Sequence, residues 1–482
     1  MRTVLIMVYL LPVLTEVAQA TPGSDDLVVS LKDGRIRGEY VTVKGTERRV
    51  KQYLGIPFAR PPVGPLRLAA PQDTEPWEGE SDGTQQPPMC IQDPELIVNV
   101  SRTMSVQYTP PELSEDCLYL NVYTPAEATR GNKLPVMVWI HGGGLSMGAA
   151  SQYDGSPLAA YENIVMVIIQ YRLGILGFLS TGDEHAQGNW GFLDQLAALR
   201  WVKENIEAFG GDPQAVTVAG ESAGGISASI LTLSPQAKGL FQRAIFQSGV
   251  ATLGTYTTSH PLSYAKIVAN LTECDCSSTE ELVQCMRGKS KEELIEATKK
   301  ASSANSLIAD EYLKEAKTPE EIRDGFTEIM GDLLMTLPVV KVAGYHLGVG
   351  VPVYMYEFVY RAEIHKHTRP SFVKADHADD VGFMFGGCFW NGRIKIIGNI
   401  TKEDERLCRT MMAYWANFAG TGSPNGPGLV SWPQYSSQRQ EYLELGLTQT
   451  VRQKLKKDRV HFATVTLPQK LEQLAAAAKA GN

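Results

Sequence analysis

The chain has 482 residues, of which 43% are apolar and 20% are charged, and its formal net charge is −8. This composition is that of a globular protein with enough apolar material for a large core. The negative charge and the lack of a long Lys/Arg run exclude an electrostatic footprint for nucleic acid. Length alone allows two or three domains, although a large α/β sheet can form one unit of this size.

The N-terminal residues predict a secretory signal peptide over residues 1–20. Arg2 precedes a short apolar run over residues 4–14, which is followed by Ala18-Gln19-Ala20. A basic start, an apolar core and an A-x-A end are typical of a cleaved leader. The alternative, a buried helix, fits the extreme terminal position less well. No later segment reaches 18 apolar residues, so no transmembrane segment is predicted.

Secretion determines how the cysteines are interpreted. In an oxidising compartment some of the seven should pair, and the odd number leaves at least one without an intramolecular partner. Three N-x-S/T sequons, at Asn99, Asn270 and Asn399, agree with export and predict that those segments face solvent.

Three apolar runs predict strands buried on both faces, as in a parallel sheet: residues 134–140, 164–170 and 215–219. A helix is predicted between the second and third, because apolar residues recur there at spacings of three and four. These residues are Phe192, Leu196, Leu199, Val202, Ile206 and Phe209. Strand, helix and strand in this order form a βαβ unit.

Further along the chain, residues 243–248 and 352–358 are predicted to form additional strands. Residues 280–334 are rich in Glu, Lys and Ala and are predicted to be mostly helical, as are residues 469–480. The fold class predicted from these elements is α/β, with helices on both faces of a large, mostly parallel sheet.

The strongest chemical signal is Gly220-Glu221-Ser222-Ala223-Gly224, which follows the third predicted strand and opens a helix of small residues. G-x-S-x-G at a strand-to-helix turn is the nucleophile elbow of α/β-hydrolases, where the tight turn exposes the serine hydroxyl. Ser222 is therefore the predicted nucleophile. A plain glycine-rich turn is the alternative, because the pentapeptide alone recurs by chance.

A second glycine-rich segment, His141-Gly142-Gly143-Gly144, follows the first predicted strand. Backbone N–H groups can approach a substrate oxygen closely there, so Gly142, Gly143 and Ala223 are predicted to form an oxyanion hole. The alternative is a flexible loop.

A histidine is needed to take the serine proton, and eight compete. His141 belongs to the oxyanion segment, and His365 and His367 are interpreted as solvent-exposed. His377 follows the last strand, where the order serine, acid, histidine places the base. His377 is the predicted general base.

Together these residues resemble the type-B carboxylesterases, relatives of the cholinesterases. The resemblance extends to segments beyond the nucleophile, and it strengthens the assignment of His377 because Ala-Asp-His followed by acidic residues is similar to the family's catalytic His segment. The matching segments are residues 52–62, 114–121, 188–195, 246–249 and 414–418, and residues 287–293 and 467–470 look most like intestinal-type members.

The resemblance implies a single α/β-hydrolase domain over residues 21–482 and small-molecule ester substrates, with small acyl groups and bulky alcohols. It also implies disulfides Cys90–Cys117 and Cys274–Cys285, with Cys276 an extra thiol. No metal or organic cofactor is implied, and the oligomeric state is not predicted. The C-terminal residues 479–482 lack the His-x-Glu-Leu type tetrapeptide of many relatives, so the protein is expected to be secreted or to lie in the endoplasmic reticulum lumen without that signal.

The chain departs from the family where the triad acid belongs. The family carries a sheet strand and a Gly-x-x-x-x-Glu loop between the Glu/Lys-rich helix and the region near Asp310. In this chain that segment is absent, and Lys300 is followed at once by Ala301-Ser302-Ser303. The triad acid is therefore unknown: Asp379 and Asp380 lie too near His377 in sequence, and Glu311 lies in a predicted helix. Loss of a triad acid lowers turnover by roughly 10⁴, or about 5 kcal/mol of barrier.

The leading hypothesis is a serine carboxylic ester hydrolase, impaired by this missing acid. One alternative is a non-catalytic binding protein with the same fold, although such relatives lack the serine. A choline esterase is a weaker option, because the segment between Cys90 and Cys117 contains no Trp to stack on a quaternary ammonium.

Overall fold

The computed structural model of the chain describes residues 24–252, 257–274, 277–300, 327, 331–461, 465 and 469. Several predictions concern residues that lie outside these ranges. They are the signal peptide over residues 1–20, Cys276, Ala301, Glu311 and the C-terminal residues 479–482. The strands are β1 Val28–Ser30, β2 Arg35–Arg37, β3 Glu39–Thr42, β4 Arg49–Pro57, β5 Glu80–Asp82, β6 Val106–Gln107, β7 Tyr119–Pro125, β8 Leu134–Ile140, β9 Val165–Ile169, β10 Gly211–Glu221, β11 Arg243–Gln247, β12 Tyr356–Phe358, β13 Lys395–Ile396, β14 Glu441–Leu445 and β15 Thr450–Gln453.

The helices follow the same numbering rule. They are α1 Pro94–Thr103, α2 Ser156–Glu162, α3 Gly174–Phe178, α4 Trp190–Asn205, α5 Ala223–Leu233, α6 Pro261–Leu271, α7 Thr279–Gly288, α8 over residues 291–300, α9 Leu337–Gly348, α10 Asp379–Met384, α11 Lys402–Thr421 and α12 Lys457–His461.

A seven-stranded sheet, in the order β11-β10-β8-β9-β7-β4-β3, is the centre of the fold. The pairings from β11 to β9 are parallel, and those from β9 to β3 are antiparallel. The predicted α/β class is confirmed, and the sheet is mixed because only its β8–β11 half is linked by helical crossovers, which parallel strands require.

Alternate residues of the central strands pack into two separate cores. In β8, Met137 and Trp139 face a core that includes α2 and α11, whereas Val136 and Val138 face a core that includes α4 and α5. Both faces are thus covered by helices, which explains why the predicted strands read as continuous apolar runs.

The helix predicted over residues 192–209 is observed as α4 followed by a 3₁₀ turn over Ile206–Phe209. Gly210 ends it with φ 84°, a left-handed conformation that glycine adopts without strain. The strand predicted over residues 352–358 is shorter than expected and is confined to Tyr356–Phe358. Pro352 lacks the N–H that a strand at that position would use.

Three disulfides join described cysteines: Cys90–Cys117, Cys274–Cys285 and Cys388–Cys408. The first two are the pairs that the family resemblance implies. The third was not predicted, and its cysteines line the same cavity as Ser222.

Removing the Cys90–Cys117 bond by a double alanine substitution is expected to lower the free energy of unfolding by about 3 to 4 kcal/mol, because a loop of this length restricts the unfolded chain. The two cysteines are 27 residues apart, compared with 11 for Cys274 and Cys285. Removing the shorter loop is the matched comparison and should cost less. Denaturant unfolding measures both values, and an unchanged midpoint in the Cys90/Cys117 variant would show that the loop is ordered without its bond.

Candidate active site

Ser222 occupies a strained turn between β10 and α5, with φ 55° and ψ −122°. A residue other than glycine in such a conformation costs about 1 to 3 kcal/mol, so the surrounding structure must hold it. The Ser222 N–H donates to the carbonyl of Gln247 at 2.8 Å. Glycine is required on both sides: a Cβ on Gly220 would lie 2.7 Å from the Ile140 carbonyl oxygen, and one on Gly224 would collide with the same atom.

Gly142 and Gly143 follow β8 and line the same cavity as Ser222. No hydrogen bond within the described part of the chain uses the N–H of either glycine. Ala223 is the first residue of α5, where helical N–H groups have no intrahelical acceptor. The three predicted oxyanion donors therefore lie at one end of the sheet, next to Ser222.

His141 holds the loop that contains Gly142 and Gly143. Its Nδ1 lies 2.9 Å from the Gly142 carbonyl oxygen, so the ring donates there. Because a trans peptide directs its C=O and N–H to opposite sides, the Gly143 N–H points away from His141. Burial lowers the pKa of His141 to about 4 despite this hydrogen bond, which leaves the ring neutral.

His377 lies in the loop before α10, and its side chain is 42% exposed. Its Nε2 is 2.9 Å from Oε1 of Glu221, the residue directly before Ser222. Burial lowers the pKa of His377, but the adjacent Glu221 carboxylate, with Asp380 and Asp376, outweighs burial and raises it. Within the described residues, no hydrogen bond joins His377 to Ser222, although both side chains line one cavity.

The acidic residues that follow His377 are engaged elsewhere. Asp380 accepts from Gln247 Nε2 at 2.9 Å and from the Tyr356 hydroxyl at 2.6 Å. Asp379 accepts from Arg369 Nη1 and from the Asp376 N–H. Glu221 is thus the one carboxylate, among the residues described, that pairs with the His377 ring. Sequence reasoning did not identify this contact, and the only signal was the position of Glu221 inside the serine motif.

His365 is buried, and the expectation that it faces solvent is wrong. Only 4% of the residue is exposed, whereas His367 is exposed as expected. The His365 Nδ1 lies 3.2 Å from the Ser105 hydroxyl, and its Nε2 lies 3.5 Å from Asp379. The 3₁₀ turn over Glu363–Lys366 directs the His365 side chain inward, and the spacing of His365 and His367 in the sequence does not reveal this.

The cavity has a volume of about 290 Å³ and is lined mostly by apolar side chains. Glu221, Ser222 and His377 lie on its wall with Gly142 and Gly143. The apolar lining includes Val100, Met104, Val106, Met147, Val381, Phe383, Trp390 and Ile396. An apolar pocket with a few convergent polar groups is the usual form of a small-molecule site.

The predicted glycosylation sites Asn99, Asn270 and Asn399 are all exposed, and attachment of sugar remains a prediction. Across the described ranges, no group of three or more His, Cys, Asp or Glu side chains could hold a metal ion. In the same part of the chain, no helix has the length and apolarity needed to cross a membrane.

The chain matches the sequence profile described as "Carboxylesterase family" in two stretches, residues 25–309 and 300–463. It is 43% identical to Carboxylesterase 5A of Canis lupus familiaris over 520 residues, which takes in 93% of this chain and 90% of that protein. It is 43% identical to Pyrethroid hydrolase Ces2a of Mus musculus, over 92% of this chain and 91% of that protein. For Cocaine esterase of Homo sapiens the identity is 42%, with the same coverage of 92% and 91%.

Proposed function

The chain belongs to the carboxylesterase family, as the sequence motifs predicted, and on that basis we propose that it hydrolyses small-molecule carboxylic esters through an acyl-enzyme on Ser222. The observation that carries the proposal is the strained turn at Ser222, which faces a cavity shared with His377 and the Gly142–Gly143 loop. Backbone strain of this kind is found mostly at active sites and binding sites, where it holds a side chain in the geometry that the function requires.

In the proposed reaction, the Ser222 Oγ forms a bond with the ester carbonyl carbon while its proton moves to His377. The carbonyl electron pair moves onto oxygen, where the N–H groups of Gly142, Gly143 and Ala223 stabilise the charge. The tetrahedral intermediate collapses, and the leaving alkoxide takes the proton from His377. Water then repeats the two steps on the acyl group, which releases the acid and regenerates the Ser222 hydroxyl.

The cavity supports esters with an apolar group of moderate size. Its aliphatic and aromatic lining favours burial of such a group, at roughly 25 cal/mol per Å² of apolar surface. Two similar proteins carry names that refer to pyrethroid hydrolysis and to cocaine, and these names motivate a test of bulky, apolar esters on this chain.

We also propose that a family segment containing the triad acid is missing near residues 300–301. The match to the family profile consists of two separate stretches, which overlap at residues 300–309. In addition, 93% of 482 residues is about 448, so roughly 70 of the 520 aligned positions have no counterpart in this chain. Turnover is therefore expected to be low for ordinary alkyl esters and measurable for activated esters, because the backbone donors of the oxyanion hole are intact.

The three disulfides support a location in the secretory pathway, since such bonds persist in oxidising compartments. A secretory location also agrees with the signal peptide predicted over residues 1–20.

One observation favours a second candidate, a non-catalytic binding protein. In the part of the chain that the structure describes, no carboxylate hydrogen-bonds the His377 ring. Reaction of Ser222 with a fluorophosphonate separates the two, because a binding protein has no activated nucleophile.

Replacing Gly142 by alanine tests the oxyanion hole. The new Cβ would lie 2.7 Å from the Glu221 carbonyl oxygen and 3.1 Å from the Ser222 Cβ, so the loop must move. Loss of one oxyanion donor costs about 10²- to 10³-fold in kcat, and a loss of this size is expected for nitrophenyl acetate.

The matched control is Gly344→Ala in α9, where an added Cβ has no neighbour within 4 Å. The control should keep wild-type turnover. If Gly142→Ala turned over the ester as fast as Gly344→Ala does, the oxyanion assignment would be wrong.

A further inference from the structure

Glu221 is a buried carboxylate at the carboxyl end of β10, with only 5% of the residue exposed. Other buried carboxylates of the protein have cationic or hydrogen-bonding partners: Asp194 pairs with Arg172, Asp379 with Arg369, and Asp404 accepts from Thr401. Among the described residues, the only ion pair of the Glu221 side chain is with the ring of His377. A carboxylate buried without such partners is costly, so its retention next to the nucleophile calls for a function.

The Glu221 carboxylate lies between His377 and the oxyanion loop. Its Oε1 is 2.9 Å from His377 Nε2, and its Oε2 lies close enough to Gly142 that an added Cβ there would be 2.8 Å away. The contact with His377 does not have hydrogen-bond geometry, since Oε1 has no hydrogen-bond partner within the described residues. Glu221 therefore acts on the ring by its charge.

A charge in this position stabilises the form of His377 that appears during reaction. When the ring accepts the Ser222 proton it becomes a cation, and a carboxylate at 2.9 Å in a mostly apolar cavity attracts it more strongly than in water. We propose that Glu221 is the carboxylate that stabilises the His377 imidazolium in this chain, in place of the missing triad acid. This inference rests on the proposed ester hydrolysis by Ser222 and His377.

The compensation is partial. A triad acid both stabilises the imidazolium and holds the ring in one tautomer through a hydrogen bond. Glu221 supplies only the first effect, because its contact is not a hydrogen bond. Activity is therefore expected to remain below that of a complete triad and above that of a histidine with no anion beside it.

The charged groups that face His377 come from three elements: Glu221 from β10, Asp380 from α10, and Asp376 from the preceding loop. Glu221 in turn lies near the titratable hydroxyls of Tyr153 and Tyr356 and near Asp380. Burial raises the pKa of Glu221, and the adjacent His377 opposes this shift. The negative groups around His377 hold its pKa above the usual value, so the active, neutral base is lost as pH falls through that raised pKa.

The substitution Glu221→Gln removes the charge and keeps the shape. We expect kcat/KM for nitrophenyl acetate to fall at its optimum, because the imidazolium that forms in the transition state loses the charge beside it. The acid limb of the kcat/KM profile should also move to lower pH, because the group that raises the His377 pKa is gone. A merely structural role for Glu221 would lower activity without moving this midpoint.

The matched control is Asp376→Asn, which removes one negative charge beside His377 from a side chain that is 53% exposed. Solvent screens such a charge, so the midpoint should move much less than in Glu221→Gln. If Glu221→Gln fails to fold, as judged by circular dichroism, the acid-limb midpoint is measured in Glu221→Asp instead. This variant keeps the charge on a side chain one methylene shorter and should move the midpoint more than Asp376→Asn does.

Two outcomes overturn the inference: an unmoved acid limb in folded Glu221→Gln, or a Glu221→Asp midpoint shifted no more than that of the control. A wild-type protein that a fluorophosphonate does not label at Ser222 contradicts the proposed function itself. Labelled wild type with an unmoved Glu221→Gln profile contradicts only the role of Glu221.

Discussion

Replacement of Ser222 by alanine is expected to abolish labelling by a fluorophosphonate probe and to lower ester turnover by at least about 10²-fold. The probe forms a bond only with an activated nucleophile. In the structure the Ser222 side chain projects from a turn with φ 55° into the cavity that contains His377. A nucleophile and its base act as a unit, so removal of one forfeits the contribution of both.

Ser229→Ala is the matched control, because Ser229 is a buried serine of α5, the helix that follows Ser222, and does not line the cavity. It should label and turn over like the wild type. Labelling that persists in Ser222→Ala would contradict the nucleophile assignment, and a wild type without labelling would favour the binding-protein alternative.

Insertion of the family's acid-bearing segment after Lys300 is expected to raise turnover of ordinary alkyl esters by about 10³- to 10⁴-fold. This is the range that a triad acid supplies by fixing the His377 tautomer and stabilising the imidazolium. The expected gain lies towards the lower end if Glu221 already supplies part of the stabilisation. The segment can be taken from a similar protein such as the human Cocaine esterase, with kcat measured before and after insertion.

The structure suggests where an inserted strand would pair. Among the described strands, β11 is one edge of the seven-stranded sheet, and β12 is one edge of a three-stranded sheet in the order β12-β14-β15. Gln247 at the end of β11 and Tyr356 at the start of β12 donate to the same oxygen of Asp380. The two open edges therefore lie near each other, and both pair in parallel with their other neighbours.

The control for this experiment is the same insertion with its triad glutamate changed to glutamine, which should restore folding contacts without restoring turnover. A wild-type chain that already hydrolyses ordinary esters at about 10 s⁻¹, a typical enzyme rate, would contradict the proposed impairment.

The parts of the fold that sequence predicted well are those with a strong local signal. The predicted strand over residues 134–140 coincides with β8, and the predicted serine turn lies between β10 and α5. Both follow from short-range requirements: burial of an apolar run on two faces, and glycine at positions where a Cβ would collide with Ile140. Strands β3 and β4 were not predicted, because polar and charged residues interrupt their apolar residues: β3 reads Glu-Tyr-Val-Thr, and β4 begins Arg-Val-Lys-Gln.

The parts that sequence did not predict depend on contacts between distant segments. The Glu221–His377 pair arises only when the loop before α10 folds against the end of β10. The burial of His365 depends in the same way on packing against Ser105 and Asp379. The family resemblance implied the other two disulfides but not the Cys388–Cys408 bond, and the sequence alone does not show that these two cysteines lie close together.

The site of acylation tests the role of Ser222 most directly. The wild-type protein would be mixed with nitrophenyl acetate, quenched in acid, digested and analysed by peptide mass spectrometry. One acetyl group is expected on the peptide that contains Ser222, and none on that peptide in Ser222→Ala. Hydrolysis of the ester with no acetyl group at Ser222, or with acetylation of another residue in its place, would show that Ser222 is not the nucleophile.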